Sequence, residues 1–462
     1  MRHDQAMRAR GERLRRQKEK QETDTAGVPE FNAVKKYKLP VLAYVLSRYP
    51  LLTETFILRE MAAMREFGHE IRVLPIRRVR ARREHPETGL LAKAVIWPDW
   101  SARSWLRAGG QLLTRHAQRA WWTQLTWQSR KDANLLAGTL LYWPQVIRMA
   151  NLCAANGIGH IHAHFATHPA MAAMAMHQLT GIPFSFTVHA HDLFEHPTLL
   201  RQKIDAAAFV VAISQYNRQE LLRLAPHAKD KILVIHCGVP SAAFTGLAAE
   251  RRAAAPNLRR PLRLLSVAAL RQYKGHRTLL EACGHLLPQM NFELRLAGDG
   301  PERRRLEELS HRLGLRDRTS FLGWQTNPEI RAQLAWADIF ILPSIREPSG
   351  RMDGIPVALM EAMASGLPVI ASRLSGIPEL VRSGENGWLI EPGQAQELEK
   401  ALLRLRDAGL RQRWGEAGRR TVASDFDLSG CARQLETAME NARQRWPHAT
   451  QAIESLETSL GR

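Results

Sequence analysis

The chain has 462 residues, of which 45% are hydrophobic and 24% are charged. This length predicts two or three domains, and the composition excludes collagen-like and wholly disordered proteins. No stretch reaches the roughly 18–20 apolar residues of a membrane span, and the polar N-terminus predicts no secretory signal. The four cysteines are far apart, which favours a reduced, cytoplasmic setting over a disulfide framework.

Basic residues are in clear excess. The 65 Lys and Arg residues outnumber the 45 Asp and Glu residues and give a net charge of +20 at pH 7. Residues 1–38 hold eleven basic against six acidic side chains, and residues 76–131 hold twelve against three. Such a chain is drawn to polyanions, that is, to nucleic acid, an anionic membrane or phosphorylated ligands.

Alternating strand and helix signals begin after a polar N-terminal arm. Residues 1–38 have no apolar periodicity and predict a disordered basic arm. A buried strand is predicted at 41–47, a helix at 54–67 and a second strand at 71–76. Four more strands are predicted at residues 160–165, 184–190, 209–214 and 231–236. Strands that alternate with helices form parallel sheets, so residues 39–240 predict a first Rossmann-like domain.

The same alternation restarts after residues 241–260, an Ala- and Arg-rich segment that predicts a linker. The strands of this second series are predicted at residues 262–268, 292–298, 319–323, 339–344 and 368–372. They define a second Rossmann-like domain at 261–425, and residues 426–462 predict a helix that packs back on the first domain. The predicted class is α/β, with two doubly wound parallel sheets that face a central cleft, where such folds bind ligands.

A basic helical insert is predicted at about residues 77–150, within the first domain. Seven of the twelve tryptophans lie in or beside its basic part, namely Trp97, Trp100, Trp105, Trp121, Trp122, Trp127 and Trp143. Two interpretations remain open, because Trp and Arg on helices are typical of a membrane interface and also of helices that bury Trp against a sheet. No nucleic-acid-binding module is recognisable, so no nucleic-acid partner is predicted.

The most informative segment is SIREPSGRMDGIPVALMEAMASGLPVIAS, at residues 344–372. Gly354 and Pro356 predict the start of an apolar helix, where free backbone N–H groups can bind an anion. A carboxylate such as Glu361 can accept two hydrogen bonds from a vicinal diol, as ribose presents. The alternative is that Asp353 caps the helix and Glu361 lies on a solvated face.

The residue order within this segment resembles the family-4 retaining glycosyltransferases of the GT-B fold, whose signature is two Glu residues separated by seven others and an EAMA-x-G-x-PV run. EAMASGLPVIAS is intact here. The resemblance implies that Glu361 holds the nucleotide ribose. It also implies that Asp353, which replaces the first Glu, and the backbone amides of Gly354 and Ile355 hold the donor sugar.

Other segments share this resemblance. SVAALRQYKGH resembles the loop whose cations hold the donor diphosphate; Lys274 matches the family Lys. The commoner Arg position is Ala269 here, so the resemblance transfers that role to Arg271. The loops that contain Gly298 and Gly323 resemble those near the base and ribose. A diphosphate leaving group that has no metal needs such cations to stabilise its developing charge.

The first domain has its own candidates. Thr53 and Glu54 lie where the resembling family has its Tyr-Pro-x-x-Ser-Glu-Thr-Phe segment, and they are assigned with Asp192 to the acceptor side. His189, in TVHAHD, matches the histidine that faces the donor sugar, so the predicted catalytic residues are His189, Asp353 and Lys274. The alternating histidines of HIHAHF predict no metal site, because a metal cage needs a further ligand beside them.

The sequence therefore predicts a retaining enzyme that moves a sugar from a nucleotide-diphosphate sugar to a saccharide or a lipid-linked acceptor. The resemblance implies cell-surface polysaccharide biosynthesis, with no cofactor and no metal. The expected location is cytoplasmic and peripheral, on the anionic inner face of the plasma membrane. Two alternatives remain: a nucleotide-sugar 2-epimerase of the same fold, and a non-catalytic basic scaffold that binds membrane or nucleic acid.

Overall fold

The computed structural model describes residues 39–50, 54–79, 86–114, 116–130, 132–194, 197–253 and 260–446. The predicted arm, residues 1–38, lies outside these ranges, and so does Thr53. Within them, every helix falls short of the length or the apolarity that crossing a lipid bilayer demands.

The first half of the molecule is a six-stranded parallel sheet with helices around it. Its strands are β1 (Val41–Tyr49), β2 (Ile71–Arg78), β3 (Ile158–His164), β4 (Phe184–Val188), β5 (Phe209–Ala212) and β6 (Ile232–Val234). They lie in the order β2-β1-β3-β4-β5-β6. The helices of this half are α1 (Thr55–Glu66), α2 (Pro86–Leu91), α3 (Ala102–Thr114), α4 (His116–Ser129), α5 (Ala133–Ala155), α6 (His168–Thr180), α7 (Ala190–Phe194), α8 (Leu200–Ala206) and α9 (Gln215–Leu224).

The second half repeats this design. Its strands are β7 (Leu262–Val267), β8 (Phe292–Ala297), β9 (Thr319–Gly323), β10 (Ile339–Leu342), β11 (Val369–Ser372) and β12 (Gly387–Ile390). They lie in the order β12-β11-β10-β7-β8-β9, again all parallel. The helices that follow β6 are α10 (Thr245–Ala253), α11 (His276–Leu286), α12 (Arg303–Arg312), α13 (Asn327–Trp336), α14 (Val357–Ala364), α15 (Ile377–Leu380), α16 (Ala395–Arg404), α17 (Ala408–Asp425) and α18 (Leu428–Arg445).

The central strands are apolar along their whole length because both faces of each sheet are covered by helices. Every residue of β4 is buried, and so is every residue of β10. A parallel strand between two helical layers requires this continuous apolar run, whereas a strand with one solvated face alternates. The prediction of two Rossmann-like parallel sheets is therefore confirmed.

The segment expected to be a linker, residues 241–260, instead begins with ordered helical structure. A 3₁₀ turn at Ser241–Phe244 leads directly into α10. Phe244 and Leu247 are buried in the core of the second half. Ala has the highest helix propensity, and two large apolar residues three apart lie on one face, which is enough to fold this segment onto a neighbouring core.

The last described helix, α18, returns to the first half. Leu435 and Met439 are buried in one cluster with Ile57 and Met61 of α1. At the same boundary, the His69 Nε2 atom lies 2.9 Å from a Glu436 carboxylate oxygen. The apolar face of α1 is therefore covered by a helix that follows the whole second half in the chain.

The insert divides its tryptophans between core and surface. Trp143 of α5 is buried, and the Trp122 ring packs on it with a centroid distance of 5.6 Å. Three other tryptophans are exposed, namely Trp100, Trp105 and Trp127. The insert thus packs one set of its tryptophans in the core and leaves another set exposed.

Candidate functional site

A cavity of about 590 Å³, called here the cleft cavity, opens at the carboxyl ends of the second sheet. Its walls include Val267, Ala297 and Leu342, which end or directly follow β7, β8 and β10 in the chain. Thr55 and Phe56 of α1 close it from the first half. The carboxyl edge of an open parallel sheet is the general binding position in such folds.

A buried ion pair lies in the wall of the cleft cavity. The Lys274 Nζ atom is 2.5 Å from one oxygen of Asp353, and the Ser344 hydroxyl donates to the other oxygen at 2.6 Å. Burial alone would lower the pKa of Lys274, but the Asp353 carboxylate outweighs it and raises this pKa above its ordinary value. Lys274 is therefore a cation at neutral pH. Asp353 does not cap α14, whose N-cap is Pro356.

Glycine is required where the second sheet meets the cavity. Gly298 has φ +144°, and a Cβ atom there would lie 1.9 Å from the Ala268 carbonyl oxygen. Its N–H donates to the Gly323 carbonyl at 2.8 Å, so Gly323 supports the loop without lining the cavity. Gly354 and Ile355 also lie outside the cavity wall, and a Cβ at Gly354 would come within 2.9 Å of Ile213 in the first half.

Glu361 is paired across the cleft with a residue that the sequence did not single out. Its carboxylate accepts from Arg59 of α1 at 2.7 Å, and both side chains are largely buried. The alternative of a solvated Glu361 is thus wrong. One carboxylate oxygen is occupied by Arg59, and Glu361 itself lines the cavity.

A second contact joins the two halves. The Glu379 carboxylate accepts from the backbone N–H groups of Gln215 and Tyr216, at 2.8 and 2.9 Å. These groups belong to the first turn of α9, where N–H groups have no partner inside the helix and favour a negative charge. Glu379 therefore holds the two halves together at a place distinct from Glu361.

The histidines of β3 form a buried hydrogen-bonded chain. His162 is bonded through one ring nitrogen to Ser185 at 2.8 Å and through the other to Thr187 at 3.0 Å. His164 donates to a carboxylate, that of Glu60, at 3.1 Å. Helix α1 thus brings to these histidines a carboxylate that their own segment lacks. Glu60, His162 and His164 each offer one possible metal-ligand atom, and these three atoms lie within 4.8 Å of one another.

His189 directly follows β4 and lies against this histidine chain. Its Nε2 atom is 3.4 Å from Nδ1 of His164. Its ring packs at a tilt against Phe165 and Phe56, with centroids 4.6 and 5.1 Å away. Burial lowers the pKa of His189 well below its ordinary value, so its ring is neutral. His189 lines neither cavity described here, whereas Phe56 covers it and lines the cleft cavity.

A second cavity of about 450 Å³, called here the N-terminal cavity, lies at the carboxyl edge of the first sheet. Glu54, which precedes α1, and Asp192 of α7 both line it. Burial raises the pKa of Glu54 to about 7 and the pKa of Asp192 to about 7. At neutral pH each carboxyl therefore keeps its proton far more readily than an ordinary Asp or Glu side chain does, which suits it to exchanging a proton or a hydrogen bond with a hydroxyl.

The floor of the N-terminal cavity is a strained loop after β3. Phe165 has φ +77°, which is uncommon for a residue other than glycine. Asp192 accepts from the N–H of Ala166 at 2.9 Å, and Lys203 donates to the Ala166 carbonyl at 2.6 Å. Both flanking charges thus hold this loop in place. Lys203 was missed in the sequence, because its helix, LRQKIDA, is largely polar and nothing in it marks this lysine as buried.

The structure therefore sorts the sequence candidates into three groups. Those brought together in the cleft cavity are Arg271, Lys274, Gly298, Asp353 and Glu361. Glu54 and Asp192 meet in the N-terminal cavity. Of the remaining candidates, His189, Gly323, Gly354 and Ile355 line neither cavity, and Thr53 lies outside the described residues.

Two family profiles match the chain. "Glycosyltransferase Family 4" matches residues 53–242, and "Glycosyl transferases group 1" matches residues 249–421. The putative colanic acid biosynthesis glycosyltransferase WcaL of Salmonella typhimurium is 30% identical over 419 residues, which cover 86% of this chain and 99% of WcaL. The amylovoran biosynthesis glycosyltransferase AmsK of Erwinia amylovora is 36% identical over 259 residues, 54% of this chain and 60% of AmsK.

A solved structure shares the fold. The crystal structure of HepE from Anabaena in complex with UDP has a TM-score of 0.63 and 18% identity, and the match covers 87% of this chain and 100% of HepE. The two profiles together span both halves of the molecule, and the similarity to WcaL extends over nearly all of that protein. The resemblance noted in the sequence is thereby confirmed. The chain belongs to the family-4 glycosyltransferases and has the GT-B fold.

Proposed function

We propose that this glycosyltransferase moves a hexose from a nucleotide-diphosphate sugar, with retention of anomeric configuration, to an acceptor in cell-surface polysaccharide biosynthesis. The names of WcaL and AmsK support the biosynthetic role. HepE was crystallised with UDP, so UDP-sugars are the first donors to test. One observation carries the proposal: Lys274 and Glu361 line the same cavity at the carboxyl edge of the second sheet.

Each residue of the cleft cavity has a role in this reaction. Lys274 and Arg271 bind the diphosphate, whose negative charge grows as its bond to the sugar breaks. Glu361 accepts hydrogen bonds from the ribose hydroxyls, and Gly298 lets the backbone approach the nucleotide closely. Asp353 holds Lys274 until the diphosphate arrives and then faces the donor sugar. The acceptor hydroxyl enters from the N-terminal cavity, where Glu54 and Asp192 lie.

The test is donor turnover in the presence and absence of an acceptor. Purified protein is incubated with a panel of UDP-, GDP- and dTDP-sugars and with lipid extracts or oligosaccharides as acceptors, and nucleotide release and the anomeric proton coupling of the product are measured. We expect acceptor-dependent release and the anomeric configuration of the donor. Release that needs no acceptor and yields a 2-epimerised sugar would favour the epimerase. The Lys274→Ala variant is the inactive control.

We further propose that the enzyme works at the inner face of the plasma membrane, on a lipid-linked acceptor. Several large apolar side chains of the insert are exposed, namely Trp100, Trp105, Leu106, Trp127, Leu140 and Leu141. The segment at 76–131 also carries twelve basic against three acidic side chains. Cations attract an anionic bilayer, and interfacial tryptophans add apolar burial that salt does not screen.

Flotation with anionic and neutral vesicles at rising salt tests this association. Wild-type protein should float with anionic vesicles, and high salt should weaken the binding without abolishing it. Trp105→Ala combined with Trp127→Ala should make the binding fully salt-sensitive. Trp324→Ala, which removes a tryptophan of similar exposure from the second half, is the matched control. Wild-type protein that ignores anionic vesicles at low salt would contradict the proposal.

A further inference from the structure

Two arginines lie side by side at the mouth of the N-terminal cavity. Arg48 of β1 and Arg77 of β2 are register partners in adjacent parallel strands, and both line the cavity. Side chains at paired positions of neighbouring strands point to the same face of the sheet. The fold therefore holds two permanently charged guanidinium groups at one edge of the same concave surface.

The protein does not fully neutralise this pair. The Glu54 carboxyl, on the same cavity wall, interacts electrostatically with Arg48, but burial raises the pKa of Glu54 to about 7, so this carboxyl is not fully ionised at neutral pH. Within the part of the chain that the structure describes, no carboxylate lies within ion-pair distance of Arg48 or Arg77. Arg77 instead stacks on the Tyr142 ring, with its central carbon 5.1 Å from the ring centroid. Two like charges held close together repel each other, and an anion between them would relieve this repulsion.

Three other charged groups of the cavity already have hydrogen-bond partners. Asp132 accepts from the Leu135 N–H at 3.0 Å and from the Thr198 hydroxyl at 2.7 Å. Asp192 accepts from two backbone N–H groups. Lys203 donates to the Ala166 and Thr198 carbonyls at 2.6 and 2.9 Å. These three groups hold the cavity together. The arginine pair therefore remains to meet a ligand, together with Glu54 and the Oδ1 atom of Asp192, which has no hydrogen-bond partner among the described residues.

We propose that the N-terminal cavity binds an anionic group of the acceptor, a carboxylate or a phosphate, between Arg48 and Arg77. The planar guanidinium fork matches both groups through paired N–H···O bonds. The acceptor is then an acidic saccharide or a saccharide phosphate, and its charge positions the reacting hydroxyl. This inference rests on the proposed function, because it assigns the substrate class of the acceptor side.

The test measures the binding of small probes with the cleft cavity filled. Full-length protein is saturated with UDP, so that an anionic probe cannot bind at Lys274 and be mistaken for a ligand of the N-terminal cavity. The probes are methyl β-D-glucuronoside, the neutral methyl β-D-glucoside and inorganic phosphate, and saturation-transfer NMR and calorimetry give their affinities. At least one anionic probe should bind about tenfold more tightly than the glucoside, as expected for charge-assisted hydrogen bonds.

Three variants locate the binding. Arg48→Gln and Arg77→Gln should each remove most of the preference for the anionic probe. Arg103→Gln makes the same charge change at an exposed position outside the cavity and should leave the preference intact. Tighter binding of the glucuronoside identifies a sugar carboxylate as the natural group, and tighter binding of phosphate identifies a phosphate.

Two results would overturn the inference: anionic probes that bind no better than the glucoside, or a preference that survives both arginine substitutions. Failure of the proposed function looks different. In that case the wild-type protein does not bind UDP or any other nucleotide diphosphate, which the same calorimetric titrations measure before any probe is added.

Discussion

The walls of the cleft cavity and of the N-terminal cavity differ in how their residues are grouped along the chain. The polar wall of the cleft cavity comes largely from short contiguous motifs, around Lys274, Gly298 and Glu361. The N-terminal cavity draws its wall from positions between Ser47 and Lys203, and part of that wall belongs to the insert. A contiguous motif keeps its residues together wherever it occurs, so its chemistry is retained. A wall assembled from separate positions changes its residues with each insertion. We infer that the donor site is common to related enzymes, whereas the acceptor site is particular to this one.

The largest expected effect would show that the diphosphate sits in the cleft cavity. Lys274→Ala should lower turnover by about a hundredfold or more, because it removes a buried charge that stabilises the leaving group. Steady-state kinetics with the best donor measures this. Arg271→Ala, at an exposed position, should have a smaller effect. Full activity in both variants would mean that the diphosphate binds elsewhere. The assignment of the donor to the cleft cavity would then be wrong.

The two carboxylates of the cleft cavity should separate nucleotide binding from sugar transfer. Glu361→Gln should weaken UDP binding roughly tenfold, since the ribose hydroxyls lose a charged acceptor. Asp353→Asn should lower turnover but preserve or strengthen UDP binding, because it frees Lys274 from the ion pair at 2.5 Å. Calorimetry with UDP and turnover of the UDP-sugar decide this. Parallel effects of both substitutions on both measurements would contradict this assignment.

A smaller effect is expected at Arg59, which belongs to the first half but contacts the cleft cavity's Glu361. Arg59→Gln should raise KM for the donor about fivefold with less change in kcat, because Glu361 loses its partner. Glu379→Gln, the matched control, weakens the other contact between the halves without touching Glu361. Equal changes in both variants would mean that Arg59 acts through closure of the halves alone. A double variant with Glu361→Gln should be less than additive.

The smallest effect is a pH dependence located in the N-terminal cavity. Because the pKa of Glu54 is raised to about 7, the folded protein keeps a proton there that the unfolded chain has already released. The free energy of unfolding should therefore decrease as pH rises from the ordinary glutamate range through 7. Glu54→Gln should make this decrease shallower, as urea denaturation at several pH values measures. Asp192→Asn should act in the same direction.

The sequence revealed those parts of the site that are local in the chain. Lys274 and Glu361 lie in motifs whose residue order alone indicates their chemistry. Arg59 could not be found in this way, because it is one of many arginines and its partner is 302 positions away. Only the fold brings such a pair together.

The same limit explains two further differences between prediction and structure. His189 was assigned to the donor sugar by its segment, but the position of Phe56 above it depends on how α1 packs. Residues 241–260 are predicted as a linker because an Ala- and Arg-rich composition does not distinguish a linker from a short helix such as α10. Phe244 and Leu247 pack in the core of the second half, and this packing stabilises the helix.

The return of α18 to the first half has a practical consequence for recombining this enzyme with its relatives. A hybrid with a single crossover near residue 240 would take α18 from the other parent and set it against the Ile57 and Met61 side chains of this chain. A mismatch there would expose apolar surface on α1 and favour aggregation. Two crossovers, near residue 240 and near Asp427 at the start of α18, would exchange the donor half while keeping both parts of the first half from one parent.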